Sequence, residues 1–280
     1  MTAQSTIPNP ISCHLITWGN DLETGMRDAS GLGFHACETF THTALAHADD
    51  PGAFRDLLAS KGLRLSALYA GARFSDASKA NDTVIEIERI ARMLAALDVD
   101  RIVLGPGGPR TGPTSAEDLK QACQTIEEAA RRTAALGVHA CIHPHLGTEI
   151  QDRAEIDAVL AGTDPELVGF CPDTAHLTGA GMDPVELIRI YGRRIGYVHL
   201  KDIGADAPVG PDLNSSGTDA MSFFCELGLG DVAFPAVLSA LGEVGYDGWL
   251  TVEIDRSRTT PLESLTICRD YLIGDLALKL

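Results

Sequence analysis

The fold is decided by residues 168–202, VGFCPDTAHLTGAGMDPVELIRIYGRRIGYVHLKD. An apolar strand pattern at Val168–Asp173 is followed by an amphipathic helix pattern at 183–191 and by a second strand pattern at Ile195–Lys201. Two such strands joined through a helix are typical of a βαβ unit, in which the strands lie parallel. Both strand patterns end in charged or imidazole side chains, so this unit also carries candidate ligand-binding residues.

The same alternation continues along the chain. Strand patterns lie at Ile11–Thr17, His35–Phe40, Arg64–Tyr69, Arg101–Leu104, Val138–His143, Val168–Asp173, Ile195–Lys201 and Trp249–Glu253. Helix patterns lie between and after them, at 21–32, 51–61, 79–97, 114–136, 152–161, 183–191, 232–244 and 260–278. Eight parallel strands with crossover helices can close into a ring that has no edge. We therefore predict a single (β/α)8 TIM barrel of the α/β class, spanning residues 1–280 as one domain.

A doubly wound open sheet uses the same alternation and is the main competing architecture. It is disfavoured because no GxGxxG motif follows the first strand, and because eight units exceed the number such sheets usually contain. Three pairs of a capping residue and a proline, at 50–51, 183–184 and 260–261, are typical helix starts and support the proposed boundaries.

One long irregular stretch interrupts the alternation, at residues 204–230 between the seventh strand and its helix. It is rich in Gly, Pro, Asp and Ser. Loops of this length in compact domains are more often active-site covers than spacers, so we predict a long active-site loop there.

The composition limits the class of partner. The 280 residues include 39 Asp and Glu against 22 Lys and Arg, a net charge of −17. Nucleic acids and anionic membranes need a basic face, so we expect neither as a partner and predict a small molecule instead. The sequence has no membrane-length apolar run, no signal-peptide pattern and no CxxC pair among its seven cysteines, which favours the reducing cytoplasm. The oligomeric state stays open between a monomer and a homo-oligomer.

Polar side chains gather where the last four strand patterns end. They are His143, His145, Asp173, His176, His199, Lys201, Glu253 and Arg256. In a barrel, the carboxyl ends of the strands form the active-site face. One such residue alone is usually a helix cap or a loop hydrogen-bonding group, but converging carboxylates and imidazoles need a compensating cation. Their mixture suits Mn²⁺, Co²⁺, Fe²⁺ or Zn²⁺ rather than Ca²⁺, so we predict a divalent metal site.

A resemblance to a known family is carried by Cys171–Asp206, CPDTAHLTGAGMDPVELIRIYGRRIGYVHLKDIGAD. This segment is similar to the corresponding stretch of inosose (2-keto-myo-inositol) dehydratases, members of the xylose isomerase-like, or sugar phosphate isomerase/epimerase, superfamily. Three further segments fit that family: HPHLGT at His143–Thr148, WGND at Trp18–Asp21, and LGLGDVAFPAVLSALGEVGYDGWLTVEID at Leu227–Asp255. The resemblance covers nearly the whole chain, and its specific motifs are DTxH and HLKD followed by GYDGW and VE.

The resemblance implies a TIM barrel with one divalent metal ion, usually Mn²⁺ or Co²⁺, with Mg²⁺, Fe²⁺ or Zn²⁺ as alternatives. Asp173 of DTxH, His199 of HLKD and Glu253 of the last strand match the family's metal ligands. The fourth ligand of the family is commonly a Glu at the end of the fifth strand, where this chain has His143. His143 is therefore our predicted fourth ligand.

His145 and Glu149, which follow the same strand, remain alternatives for the fourth ligand. The resemblance also implies that His176 and Glu149 contact substrate hydroxyl groups. The alternation of side chains at the strand ends turns Lys201 toward the same cavity. Besides His176, the predicted substrate-binding residues are Glu38, Trp18, Glu149 and Arg256.

The resemblance implies a metal-dependent lyase or isomerase that acts on a keto-polyol or keto-sugar through a metal-stabilised enediolate. Our best prediction is dehydration of 2-keto-myo-inositol, which needs a base for the α-proton and an acid for the leaving hydroxyl. The predicted base is Glu253 or a histidine of the fifth strand. The predicted acid is His145, His176 or Lys201.

Other functions fit the same site or the same fold. A ketose 3-epimerase or isomerase, or a lyase that eliminates the aglycone from a 3-keto-glycoside of the C- or O-type, would use the same enediolate. A metal-dependent endonuclease would need a basic groove, which the net charge of −17 disfavours. A noncatalytic sugar-binding barrel is the remaining alternative, and metal content would separate it from the enzymes.

Overall fold

The computed structural model describes residues 9–204 and 220–280. Its main sheet contains eight parallel strands: β1 Ile11–His14, β2 Ala36–Phe40, β3 Arg64–Ala72, β4 Arg101–Pro106, β5 His139–Ile142, β6 Val168–Phe170, β7 Val198–Leu200 and β10 Leu250–Val252. Two short strands, β8 Asp202–Ile203 and β9 Phe224–Cys225, form a separate antiparallel pair.

The parallel strands close into a ring. Their order is β6-β5-β4-β3-β2-β1-β10-β7, and the parallel bridges Phe170–Ile195 and Asp173–His199 join its two ends. Each predicted strand is present, although several are shorter than predicted because the residues at their ends leave the ladder to form the active-site face. The predicted barrel is therefore confirmed.

The helices in the described residues are α1 Leu22–Gly31, α2 Thr41–Leu45, α3 Pro51–Ser60, α4 Ala80–Ala96, α5 Ala116–Ala134, α6 Arg153–Ala161, α7 Thr174–Gly179, α8 Pro184–Tyr191, α9 Phe234–Glu243 and α10 Pro261–Gly274. All eight predicted helical segments are confirmed, and Asp50, Asp183 and Thr260 cap their helices as predicted. The short helices α2 and α7 were not predicted, because five or six residues are too few to show a helical period. Within the described part of the chain, every helix is too short or too polar to cross a membrane.

The inside of the barrel is filled beneath the active-site face. A larger apolar core lies between the strands and the helices, and a smaller one lies inside the ring, formed by Ala67, Val103, Cys141, Cys171 and Tyr197. The Tyr197 hydroxyl lies 2.8 Å from Ser66 Oγ and accepts a 2.7 Å hydrogen bond from Thr251 Oγ1. The Tyr197 ring lies 5.7 Å from the His199 ring, so this packed layer supports His199 from below.

The predicted active-site loop at about 204–230 is described only in part. Residues 205–219 lie outside the described residues. The described end of the stretch includes a 3₁₀ turn at Ala220–Phe223 and strand β9. The Phe224 ring reaches two residues of the active-site face, Lys201 and His176. This contact supports an active-site position for the end of the loop, while the loop itself and the single-domain organisation stay predictions.

One buried carboxylate anchors the segment that follows β9. Asp202, the last residue of HLKD, accepts backbone N–H bonds from Gly228, Gly230 and Val232 at 2.9–3.1 Å. A Cβ on Gly230 would lie 2.3 Å from Asp202 Oδ1, so this approach requires glycine. Asp202 therefore holds the returning chain against the barrel and does not point toward the metal-ligand cluster.

Removing this anchor should destabilise the protein. Asp202→Ala leaves the buried N–H of Val232 and the part-buried N–H groups of Gly228 and Gly230 without this acceptor, and we expect the free energy of unfolding to fall by about 2–4 kcal/mol. Urea unfolding followed by far-UV circular dichroism measures the loss. Asp183→Ala removes one exposed helix cap and serves as the matched control, with an expected loss of about 1 kcal/mol. Equal losses in the two variants would contradict the anchoring role.

Candidate active site

Four buried side chains converge at the carboxyl end of the barrel. His143 follows β5, Asp173 follows β6, His199 lies in β7 and Glu253 follows β10. One potential ligand atom from each of the four lies within 4.8 Å of the corresponding atoms of the others. The structure thus brings together all four predicted metal ligands, because parallel strands deliver their final residues to one end of the ring.

His199 is held between two carboxylates. Its Nε2 lies 2.8 Å from Glu38 Oε2, and its Nδ1 lies 2.5 Å from Glu253 Oε2. Burial alone would lower the pKa of His199, but Glu38 and Glu253 outweigh burial and raise that pKa well above its usual value. The raised pKa keeps a proton between Nδ1 and Glu253 when no metal is bound. A metal ion at Nδ1 would replace that proton while Nε2–H donates to Glu38, which is the arrangement typical of a metal-bound histidine oriented by a carboxylate.

The unsatisfied atoms of the cluster fit a divalent metal ion. Both ring nitrogens of His143, Asp173 Oδ2, His199 Nδ1 and Glu253 Oε2 are buried and have no hydrogen-bond partner among the described residues. Lone pairs that face one another at such distances repel unless a proton or a cation lies between them. Two imidazole nitrogens and two carboxylate oxygens suit Mn²⁺, Co²⁺, Fe²⁺ or Zn²⁺ better than Ca²⁺.

Asp173 links the cluster to the fold. Its Oδ1 accepts 2.9 Å hydrogen bonds from the backbone N–H groups of Ala175 and His176, so it is the N-cap of α7. Its Oδ2 remains directed at the cluster, 3.5 Å from His143 Nε2. Burial opposes ionisation, but the Lys201 ammonium and the neighbouring histidines hold the pKa of Asp173 well below its usual value.

Lys201 is a fully buried cation beside the cluster. Its Nζ lies 2.9 Å from Asp255 Oδ2, 3.2 Å from Glu253 Oε1 and 3.2 Å from His176 Nε2. Burial would lower the pKa of Lys201, but the carboxylates around it raise that pKa above its usual value. In the resting site Lys201 is therefore an ammonium, and it offsets part of the negative charge of the cluster.

A pair of histidines lies beside the cluster. The ring centroids of His145 and His176 are 3.7 Å apart, and both rings hydrogen-bond to the backbone of Leu146. His145 Nδ1 lies 2.7 Å from the Leu146 carbonyl oxygen, to which it donates, and the Leu146 N–H donates to His176 Nδ1 at 3.3 Å. Burial, together with His143 and Lys201, lowers the pKa of His145 to about 4. His145 is thus neutral at neutral pH, with a lone pair on Nε2.

The remaining predicted residues lie around the cluster. Glu38 is buried and contacts His199, as described above. The carboxylate of Glu149 is taken up by the backbone N–H groups of Phe74 and Ser75, at 2.6 and 3.1 Å, so the structure does not bring it into the metal cluster. His145 likewise lies outside the four-residue group.

Two further predicted residues are Trp18 and Arg256. The Trp18 ring packs on Gly25 of α1 and donates from Nε1 to Asp28 Oδ2 at 3.0 Å. Arg256 is exposed. The substrate contacts predicted for these two residues, and for Glu149, remain predictions.

Sequence reasoning missed several residues of the site. His14 ends β1, so its position at a strand end was an available signal. Asp255 lies among the polar residues that end the last strand pattern but was given no role, although it follows Glu253 with the alternation of a strand. Phe224 could not be found this way because it reaches the site from the far end of the loop.

Tyr69 is a further missed residue of the site. It packs 5.5 Å from the His143 ring. The Tyr69 hydroxyl lies against Gly105 on β4, where a Cβ would be only 2.0 Å from the hydroxyl oxygen. Only a glycine on β4 leaves room for this tyrosine, a relation between two strands that no local pattern reveals.

Residues 26–270 match the family model of the xylose isomerase-like TIM barrel. The chain belongs to this family. Curated relatives of this chain include an inosose dehydratase of Geobacillus kaustophilus. The two sequences are 29% identical over 92% of this chain and 91% of the relative. An inosose dehydratase of Clostridium tetani is 35% identical over 56% of this chain and 54% of the relative, so that match spans about half of each protein.

Several solved structures share the fold of this chain. The IolI protein with a bound zinc atom superimposes with a TM-score of 0.78 at 18% identity, covering 96% of this chain and 98% of that one. The probable 3-DHS dehydratase AsbF of Bacillus anthracis gives a TM-score of 0.78 at 14% identity, covering 94% and 98%. The D-psicose 3-epimerase of Clostridium cellulolyticum H10 gives 0.71 at 17% identity, covering 95% and 92%. At such low identity these neighbours show the barrel alone.

The double role of Asp173 allows a clean test of the metal site. Asn is a good helix cap, so Asp173→Asn should keep the cap of α7 through its amide oxygen and place an NH₂ group where Oδ2 now faces the cluster. We expect folded protein with a metal content near zero after dialysis against Mn²⁺, compared with about one ion per wild-type chain. Inductively coupled plasma mass spectrometry measures the content. Full metal occupancy in the variant would contradict the assignment.

Proposed function

We propose that this protein is a divalent-metal-dependent carbon–oxygen lyase that dehydrates an inosose, with 2-keto-myo-inositol as the substrate. The observation that carries the proposal is the cluster of unsatisfied ligand atoms on His143, Asp173, His199 and Glu253, directly beside a neutral histidine. Relatives named inosose dehydratase support the choice of substrate.

The proposed cofactor is one divalent ion, Mn²⁺ or Co²⁺, held by the four clustered residues. When bound, such an ion supplies Lewis acidity that stabilises the negative charge developing on the ketone oxygen as the neighbouring proton leaves. Because the depressed pKa values of Asp173 and Glu253 keep both carboxylates ionised, the donor set is ready to bind without losing protons from these two groups.

His145 is the proposed base. Its Nδ1–H is committed to the Leu146 carbonyl, so the Nε2 lone pair is the part of the ring able to accept the α-proton. Glu253, the other predicted base, is a weaker candidate. Lys201 and His199 outweigh burial and hold the pKa of Glu253 well below its usual value.

His176 and Lys201 are proposed to supply the proton for the leaving hydroxyl. His176 touches His145 on one side and the Lys201 ammonium on the other, at 3.2 Å. In the balanced step, the α-proton passes to His145, a carbon–carbon double bond forms, and the β-hydroxyl leaves as water with a proton from the His176–Lys201 pair. Asp255 and Glu253 position the ammonium for this transfer.

We further propose a small-molecule enzyme of the cytoplasm. The net charge of −17 disfavours nucleic acid, and all seven cysteines are free and buried, as expected for a reducing compartment. A homo-oligomer formed through the outer helix faces is compatible with this proposal.

A proton NMR time course in D₂O tests the reaction. We expect Mn²⁺-loaded protein to convert the ring signals of 2-keto-myo-inositol to those of a dione, and EDTA-treated protein to leave them unchanged. Deuterium exchange without water loss would instead indicate a ketose epimerase or isomerase, or a keto-glycoside lyase. No change in the loaded sample would exclude inosose as the substrate.

The two histidines should separate in the same experiment. His145→Gln should lose both α-proton exchange and water loss, with kcat reduced by about 10²–10⁴-fold and unchanged metal content. His176→Gln should keep α-proton exchange but lose most water elimination. If His176→Gln eliminates water at the wild-type rate, then His176 is not needed as the acid and its assignment is wrong.

A further inference from the structure

A histidine outside the predicted site lies on the same face of the barrel. His14 is the last residue of β1, and it is paired in register with Glu38 on β2. Its ring lies 5.0 Å from Phe40, 6.3 Å from Tyr69 and 6.2 Å from the His199 ring, and its side chain is 2% exposed. It therefore belongs to the wall that surrounds the metal-ligand cluster.

The position of His14 in the ring is opposite the proposed base. In the order β6-β5-β4-β3-β2-β1-β10-β7, strand β1 lies four strands from β5 in either direction around the closed barrel. His145 follows β5, so His14 and His145 lie on opposite sides of the barrel opening, with the cluster between them. A ligand held at the cluster lies between the two residues.

The backbone fixes the tautomer of His14. Its Nδ1 accepts a 2.9 Å hydrogen bond from the N–H of Ile16, at the start of the 3₁₀ turn Leu15–Trp18. A backbone N–H can only donate, so Nδ1 carries the lone pair and the hydrogen of the ring lies on Nε2. His14 is thus a fixed donor at its outer nitrogen.

An unpaired acceptor accompanies this donor. His14 Nε2 and Glu38 Oε1 are both buried, and within the described ranges neither has a hydrogen-bond partner. Buried polar atoms are rarely left unpaired, and the pairing of β1 with β2 places these two residues side by side. A single hydroxyl group satisfies both, because its oxygen accepts from Nε2–H while its O–H donates to the carboxylate.

From this geometry we infer that His14 and Glu38 form a hydroxyl-binding subsite, with His14 as a specificity-determining residue for the polyol. The inference rests on the proposed function for the identity of the ligand. The rings of Phe40 and Tyr69 complete the subsite with apolar surface, which suits the C–H groups of a cyclic polyol.

Two substitutions at one position separate the substrate contact from the structural one. His14→Asn keeps an amide oxygen near Nδ1 that can accept from Ile16 N–H, but it is too short to replace Nε2. His14→Gln extends an NH₂ group toward the position of Nε2. We expect about 10- to 100-fold losses in kcat/KM for 2-keto-myo-inositol with His14→Asn, and losses below about fivefold with His14→Gln, at equal metal content.

A binding measurement makes the test independent of turnover. Calorimetric titration of the Zn²⁺-loaded proteins with myo-inositol should show a Kd about tenfold weaker for His14→Asn than for wild type. Equal Kd and kcat/KM values in wild type and His14→Asn would overturn the subsite. If wild type binds myo-inositol but converts no inosose, the proposed function fails while the ratio of the two Kd values still decides the subsite. If the wild type converts inosose but binds no myo-inositol, the proposed function stands, and equal kcat/KM values in wild type and His14→Asn would overturn the subsite.

If His14→Asn does not fold, the wild-type protein decides the question. In ¹H–¹⁵N spectra of the histidine rings, myo-inositol should shift the His14 Nε2–H proton downfield and slow its exchange with water. An unchanged Nε2–H signal at saturating polyol would overturn the subsite.

Discussion

The active-site face depends on one buried ammonium. Lys201 contacts Asp255 and Glu253 directly and lies 3.6 Å from Asp173 Oδ2. A group of carboxylates this close together could not stay ionised inside a protein without a cation among them. Lys201 supplies one positive charge from the polypeptide itself, and a divalent ion held by the proposed ligands would supply the rest. The raised pKa of Lys201 and the depressed pKa of Asp173 are two consequences of this single arrangement.

Several site residues serve the scaffold with one atom and the chemistry with another. Asp173 caps α7 through Oδ1 and faces the cluster with Oδ2, and His199 contacts Glu38 through Nε2 while its Nδ1 faces inward. The backbone of Leu146 orients two histidines, His145 through its C=O group and His176 through its N–H group. In each group, the hydrogen bond made by one atom fixes the direction of the other atom. The fold therefore organises the site before any ligand binds.

The residue pattern predicted the barrel because each βα unit can be identified from signals within its own stretch of sequence. Short apolar runs, amphipathic periods and capped helix starts all recur along the chain, and polar residues at the strand ends marked His143, Asp173, His199 and Glu253. The same reading could not distinguish a ligand from an anchor. Asp202 ends the HLKD motif beside Lys201, yet it binds the backbone of the segment after β9, and Glu149 binds the backbone after β3.

The sequence by itself determined the fold class, because the alternation of strand and helix periods is visible along the chain. It also determined which residue types gather at the active-site face, because parallel strands all end on the same side of the barrel. Only the tertiary structure decided which atoms meet. Phe224 contacts Lys201, and Gly105 leaves space for Tyr69. His14 and Glu38, paired in register, each keep a buried atom without a partner in the described part of the chain. All three relations join residues distant in the chain or on neighbouring strands. Ring closure and strand register set such contacts, and neither is encoded in any local stretch of residues.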